Sequence, residues 1–194
     1  IVVNLDENTR PTYDALVQFV PHVIVTHPVA PRDNLALARL LGGIFGVQDA
    51  AESWCTAFTQ ALAALRARPA GPSRTVLYCI WQDPWMSISA DTYIAAMLAE
   101  LGWRVPHLGE DRYPRFTWSD SLVDGLDAVL LSTEPYRFTQ AHVDALEKQI
   151  GIPVLLVDGE MLSWYGSRAL AGVNYLETLR EMLEGAAGEV RRGE

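Results

Sequence analysis

The sequence predicts an α/β protein of two lobes, each a parallel sheet flanked by helices, joined by a single long helix. Three observations predict it. Short apolar runs of strand length alternate with stretches that carry apolar residues at helical spacing, the pattern of a parallel sheet covered by helices. One stripe, Val47, Ala51, Trp54, Phe58, Leu62 and Leu65, continues at steps of three and four for about five turns. It leads into Arg66–Ser73, where Pro69, Gly71 and Pro72 make the most linker-like segment of the chain. The expected organisation is an N-terminal lobe at 1–46, a connecting helix at 47–68 and a C-terminal lobe at 69–194.

In order, Ile1–Leu5 reads as a strand and Asp6-Glu7-Asn8 as the loop at its end. Asn8 or Thr9 caps a helix to about Phe19, with Pro11 in the first turn, where no N–H is needed. His22–Thr26 is a strand ended by His27-Pro28. Asp33 is the expected cap of a helix from Asn34 to Leu41, closed by Gly42-Gly43. After the long helix, Val76–Ile80 is a nearly continuous apolar run, hence a strand buried on both faces. Trp81–Met86 follows as an aromatic loop where polar turn residues are expected, and Ser89 or Asp91 caps a helix over 91–102. Trp103–Leu108 is a strand weakened by Pro106, Asp111–Trp118 a loop, and Ser119–Asp124 a short helix. Ala128–Ser132 is a strand with Thr133–Tyr136 as its loop, and Thr139 opens a helix that Gly151 closes. Val154–Val157 is the last strand, Asp158–Met161 its loop, and Gly166–Leu183 the last helix.

At 194 residues the chain can bury a real core, and 49% hydrophobic content marks it as globular. No apolar run approaches the roughly 18 residues of a membrane-spanning helix. A formal charge of −9 argues against nucleic acid as a partner, since phosphate binding needs a basic face. Cys55 and Cys79 have no metal-ligand spacing; Cys79 is expected in the core, and spacing alone does not establish a bridge between them. The chain opens on Ile1 within a strand-like run and shows no signal peptide, so a processed chain or preceding residues are expected.

Four loops fall at carboxyl strand ends: Asn4–Asn8, Trp81–Met86, Ser132–Tyr136 and Asp158–Tyr165. In open α/β sheets ligands bind there. Each loop carries a carboxylate, and Trp85 and Trp164 sit beside charged residues, placed to stack on a planar ligand. Trp54, Trp81 and Trp103 read as core instead. An enzyme reading rests on Asp6, Glu7, Asp83, Glu134, Asp158 and Glu160, although carboxylates at strand ends also cap helices. There is no Gly-x-Ser-x-Gly, no glycine-rich phosphate loop and no paired-histidine zinc motif. His142 is expected on a helix surface.

At these loops the sequence resembles the ABC-transporter substrate-binding proteins whose two α/β lobes are joined by one long helix, the cobalamin-binding, helical-backbone metal receptor group. The matching residues are DEN at Asp6–Asn8, WQDPWMSISADTY at Trp81–Tyr93, RYP at Arg112–Pro114, TEPYRF at Thr133–Phe138 and DGEMLSWYGSRAL at Asp158–Leu170. The resemblance implies a cleft facing all four loops and a cargo that is a corrinoid, or alternatively a ferric siderophore or haem. It implies a monomer working outside the cytoplasmic membrane that delivers cargo to an ABC permease, with no catalytic residue, resident cofactor or metal of its own. The implied contacts are Glu7, Asn8, Trp85, Met86, Tyr113, Glu134, Tyr136, Glu160, Trp164, Tyr165 and Arg168, with Trp85 and Met86 ranked above Trp81. The family's additional strands ahead of Ile1–Asn8 are absent, which leaves the N-terminal lobe incomplete, and the first-loop aromatic of cobalamin binders corresponds to about Asn4.

Overall fold

The computed structural model describes residues 1–6, 8–69 and 71–190. Strand β1 (Val2–Asn4) pairs in parallel with β2 (Ile24–Thr26), in the register Val2 to Ile24. Helix α1 (Arg10–Leu16) joins them; Thr9 caps it by accepting from the Thr12 amide, and a proline occupies its first turn. No residue of α1 is buried.

Helix α2 (Asp33–Phe45) runs past the glycines expected to stop it and ends at Gly46, in the left-handed conformation. Gly42 serves packing instead: a Cβ there would lie 2.6 Å from the Ala51 Cβ on the next helix. Asp33 does not cap α2 with its side chain; its carboxylate accepts from the amides of Val29 and Ala30 and so closes the turn before it. Helix α3 (Gln48–Ala67) is the long one, and it packs against α2 and the C-terminal helix. Phe58, Leu62 and Leu65 of its apolar stripe are buried, each worth about 1.5–3 kcal/mol of transfer free energy. Val47, at the start of the stripe, is exposed.

The C-terminal sheet has the order β4-β3-β6-β7, with β3 (Arg74–Trp81), β6 (Ala128–Ser132) and β7 (Val154–Val157) parallel and β4 (Met86–Ser87) antiparallel to β3. β5 (Trp103–Arg104) pairs only with the first residues of β3 and stops before Pro106. Alternation decides which core each side chain joins. Val76, Tyr78, Ile80, Ala128, Leu130, Leu155 and Val157 face α3, α4 (Tyr93–Ala99) and α8 (Ala169–Val190). Leu77, Cys79, Val129, Leu131 and Val154 face the opposite side, with Val143 and Leu146 of α6 (Gln140–Ile150).

Several local expectations change. Trp81–Met86 is not an open loop: β3 turns back through Asp83, at φ 58°, into a short antiparallel strand β4 (Met86–Ser87). The helix expected over 91–102 is capped by Thr92, not Ser89 or Asp91, and is only Tyr93–Ala99. The short helix α5 (Asp120–Val123) is capped by Ser119. The last loop contains a helix of its own, α7 (Gly159–Ser163), capped by Asp158, and Gly166–Arg168 is a 3₁₀ turn before α8. His142 is half-buried; its Nδ1 accepts from the Thr139 amide at the start of α6. Cys55 and Cys79 are free and buried, and burial pushes both thiols up from their ordinary pKa. Among the described residues no helix is long and apolar enough to cross a membrane.

Candidate functional site

A cavity of about 770 Å³ opens where the carboxyl ends of β1, β3, β6 and the β7–α7 unit converge. This volume lies in the ordinary range for small-molecule sites. Asn4 and Asp6 line it from the N-terminal unit; Ile80 from β3; Glu134 and Pro135 from the loop after β6; and Ser163, Trp164 and Tyr165 from the end of α7 and the residues after it. Thr92, Tyr93 and Ile94, at the start of α4, and Arg112 and Tyr113, from the irregular segment after β5, complete the wall.

The Trp164 indole is the most exposed large aromatic of this wall, at 49%, and its orientation is fixed twice. Its Nε1–H donates to Glu134 Oε2 at 2.9 Å. The Arg168 guanidinium carbon stands 5.5 Å from the ring centre, a cation–π distance. Arg168 is in turn paired with Glu160 at 2.5 Å. Glu134 is held from beneath: its amide donates to Ser132 Oγ, which also accepts from the buried Tyr78 hydroxyl. Only glycine fits at 159, since a Cβ there would lie 2.5 Å from Ser132 Oγ and 2.9 Å from the Glu134 amide nitrogen.

The other wall is set by Asn34, a fully buried polar side chain of α2. Its Nδ2 donates to Pro31 O and to the Tyr93 hydroxyl, and its Oδ1 accepts from the Gly166 amide at 2.7 Å. Tyr93 meets Tyr165 edge to face at 5.7 Å. Burial, against the opposing Asn34 bond, pushes the Tyr93 hydroxyl up to about 12. Arg112 is the basic residue among the described lining residues. Its Nη1 donates to Asp91 O and Oδ2 at 3.0 and 3.1 Å, and its Nη2 lies 3.2 Å from Asp6 Oδ1. Burial opposes its charge, but Tyr113, Asp6 and Asp91 outweigh it and raise its pKa.

The structure thus brings together Tyr113, Glu134, Trp164 and Tyr165 of the expected contacts. Glu160 and Arg168 stand behind Trp164 rather than on the cavity wall. Asn8 braces the end of β1, its Nδ2 donating to Asn4 O. Glu7 lies outside the described residues. Trp85 is placed elsewhere: it stacks on Phe138 at 5.9 Å and packs against Phe116 and Trp118 on the far side of the sheet. Tyr136 belongs to that same cluster, 4.6 Å from Phe138, and Met86 pairs with Trp81 in the hairpin. Burial of the two hairpin tryptophans differs from the expectation: Trp81, read as core, is 40% exposed while Trp85 is packed, and neither lines the cavity. Sequence reasoning missed Tyr93 as part of the wall, Asn34 as the buried residue that holds it, and Arg112 as its cation. The one available signal was the Arg112-Tyr113 pair within a segment without regular structure.

The fold is similar to that of several solved periplasmic binding proteins. The vitamin B12 binding protein of Vibrio cholerae superposes with a TM-score of 0.76 at 16% identity, over 95% of this chain and 74% of that one. The periplasmic haem-binding protein of Roseiflexus sp. RS-1 gives 0.74 at 17%, over 96% and 75%. The periplasmic haem-binding protein of Vibrio cholerae gives 0.68 at 17%, over 92% and 75%. No protein-family model and no curated protein matches the sequence.

Proposed function

We propose that this chain is the substrate-binding protein of an ABC-type importer, working outside the cytoplasmic membrane as a monomer and handing its cargo to a membrane permease. The cargo is a corrinoid or another metal chelate, haem or a ferric siderophore, bound in the cavity at the carboxyl strand ends. The observation that carries this reading is Trp164, a half-exposed indole on the cavity wall that Glu134 and Arg168 hold in one orientation. A rigid aromatic face beside an open cavity suits a flat conjugated ring, because stacking is gained without a further loss of side-chain freedom. Solved structures of like fold include binders of vitamin B12 and haem, which supports the same cargo class. The carboxylates that favoured an enzyme are otherwise engaged: Glu134 orients Trp164, Glu160 pairs with Arg168 and Asp158 caps α7.

The test is a tryptophan-fluorescence titration of the chain with cyanocobalamin, hemin and ferric dicitrate. Saturable quenching by one of them at one equivalent per chain is the expected result. Quenching by none of the three sinks the proposal.

A further inference from the structure

The guanidinium of Arg112 is only half used. Its Nη1 is engaged by Asp91 O and Oδ2. Its other edge, Nε with Nη2, is shielded from water and makes no hydrogen bond of proper geometry among the described residues. Asp6, from the loop after β1, reaches that edge in a single contact of 3.2 Å to Nη2, and Tyr113 also acts on the guanidinium, its ring centre 6.0 Å from the guanidinium carbon. The same Asp6 oxygen has a second basic neighbour, His27 Nε2 at 3.8 Å. Arg112 and Asp6 both line the cavity.

We propose that the Nε–Nη2 edge of Arg112 receives a carboxylate of the bound cargo, and that Asp6 occupies its place when the site is empty. The inference rests on the reading of the cavity as a cargo site and narrows the cargo to one that carries a free carboxylate. The physical reason is geometric. A carboxylate that meets Nε and Nη2 together makes two parallel charge-assisted hydrogen bonds, whereas Asp6 touches one nitrogen. A shielded donor edge that is met by one oxygen only, with Nε unpaired, is costly, so filling it with two favours the bound state. Asp6 remains beside His27 when it gives way. Because Asp6 belongs to the N-terminal unit and Arg112 to the C-terminal one, the exchange replaces a direct contact between the two by a contact through the cargo.

The test uses calorimetric titration of the chain with hemin, whose two propionates are free, and with hemin dimethyl ester, which has the same ring without them. Ferric dicitrate and cyanocobalamin separate a carboxylate chelate from a cargo without carboxylates. The parent is expected to bind hemin or ferric dicitrate, and hemin at least tenfold more tightly than the ester. Arg112→Gln should weaken the carboxylate-bearing cargo roughly tenfold or more, by the range for hydrogen bonds to charged groups, and collapse the acid–ester difference. Asp6→Asn should tighten that cargo several-fold, the opposite sign from a residue that merely supports the fold. If Arg112→Gln does not fold, Asp6→Asn and the acid–ester comparison decide alone. Equal affinity for acid and ester, or weaker binding in Asp6→Asn, overturns the inference. Binding of cyanocobalamin alone also overturns it while the importer reading stands; binding of no probe removes both.

Discussion

Asn34 offers the sharpest test of how the cavity wall is held. It is fully buried, and its side chain serves three partners: Pro31 O, the Tyr93 hydroxyl and the Gly166 amide. Asn34→Ala removes all three bonds at once. Tyr93 is buried, so its hydroxyl oxygen is left without its donor, and the half-buried Gly166 amide loses its acceptor. Each orphaned group costs about 1–3 kcal/mol, so the variant should lose about 4 kcal/mol, including a small cavity term. That is a large share of the about 5–15 kcal/mol by which domains are stable. Urea unfolding followed by far-ultraviolet circular dichroism measures it. Asn34→Leu, which fills the space but supplies no polar atoms, should recover only the cavity part. A loss below about 1 kcal/mol in Asn34→Ala would refute the reasoning, because it would mean that the three partners find other acceptors or donors at no cost.

Three further outcomes follow from the same geometry. Gly159→Ala should destabilise by about 1–3 kcal/mol, the usual range for overpacking, and should also weaken cargo binding, because the new methyl displaces Ser132 and the Glu134 amide beneath Trp164; urea unfolding and calorimetry read the two effects separately. Cys55 and Cys79 should resist a thiol reagent such as dithionitrobenzoate in the native protein and both react in guanidinium, since each is buried with its pKa raised by desolvation. Stability should fall as pH rises from about 9 towards 12: burial raises the Cys55 and Cys79 thiols and lifts Tyr93 to about 12, so the folded state holds protons that the unfolded state releases, Tyr93 acting over the upper part of that window. In Tyr93→Phe the decline over that window should be shallower in urea midpoints taken at each pH.

The strands were the most legible part of the sequence. Val76–Ile80, Ala128–Ser132 and Val154–Val157 are continuous apolar runs, and a parallel strand buried on both faces needs that composition. The long helix was legible from its stripe, since Phe58, Leu62 and Leu65 sit on one face and are buried together. Helix ends were less so. Gly42 reads as a stop signal by composition, but its lack of a Cβ is used for the approach of Ala51, a contact between two helices that no local pattern reveals. The site divided along the same line. Trp164, Tyr165, Glu134 and Tyr113, expected as contacts because they follow strands or sit in irregular segments at the sheet edge, do line one cavity. Trp85 was misplaced because the hairpin at Asp83 turns it across the sheet, into a cluster with Phe116, Trp118 and Phe138. Asn34 was invisible because its partners Tyr93 and Gly166 are distant in sequence.

The most direct test of the cargo-binding reading is the affinity of Trp164→Ala for the cargo that the parent binds, measured by calorimetry so that loss of the fluorophore does not matter. A central stacking anchor is worth about 1–3 kcal/mol, so the variant should bind about 5- to 150-fold more weakly while its urea midpoint stays close to that of the parent. Equal affinity in the folded variant would contradict the account, because the indole that Glu134 and Arg168 hold at the cavity would then contribute nothing to the ligand.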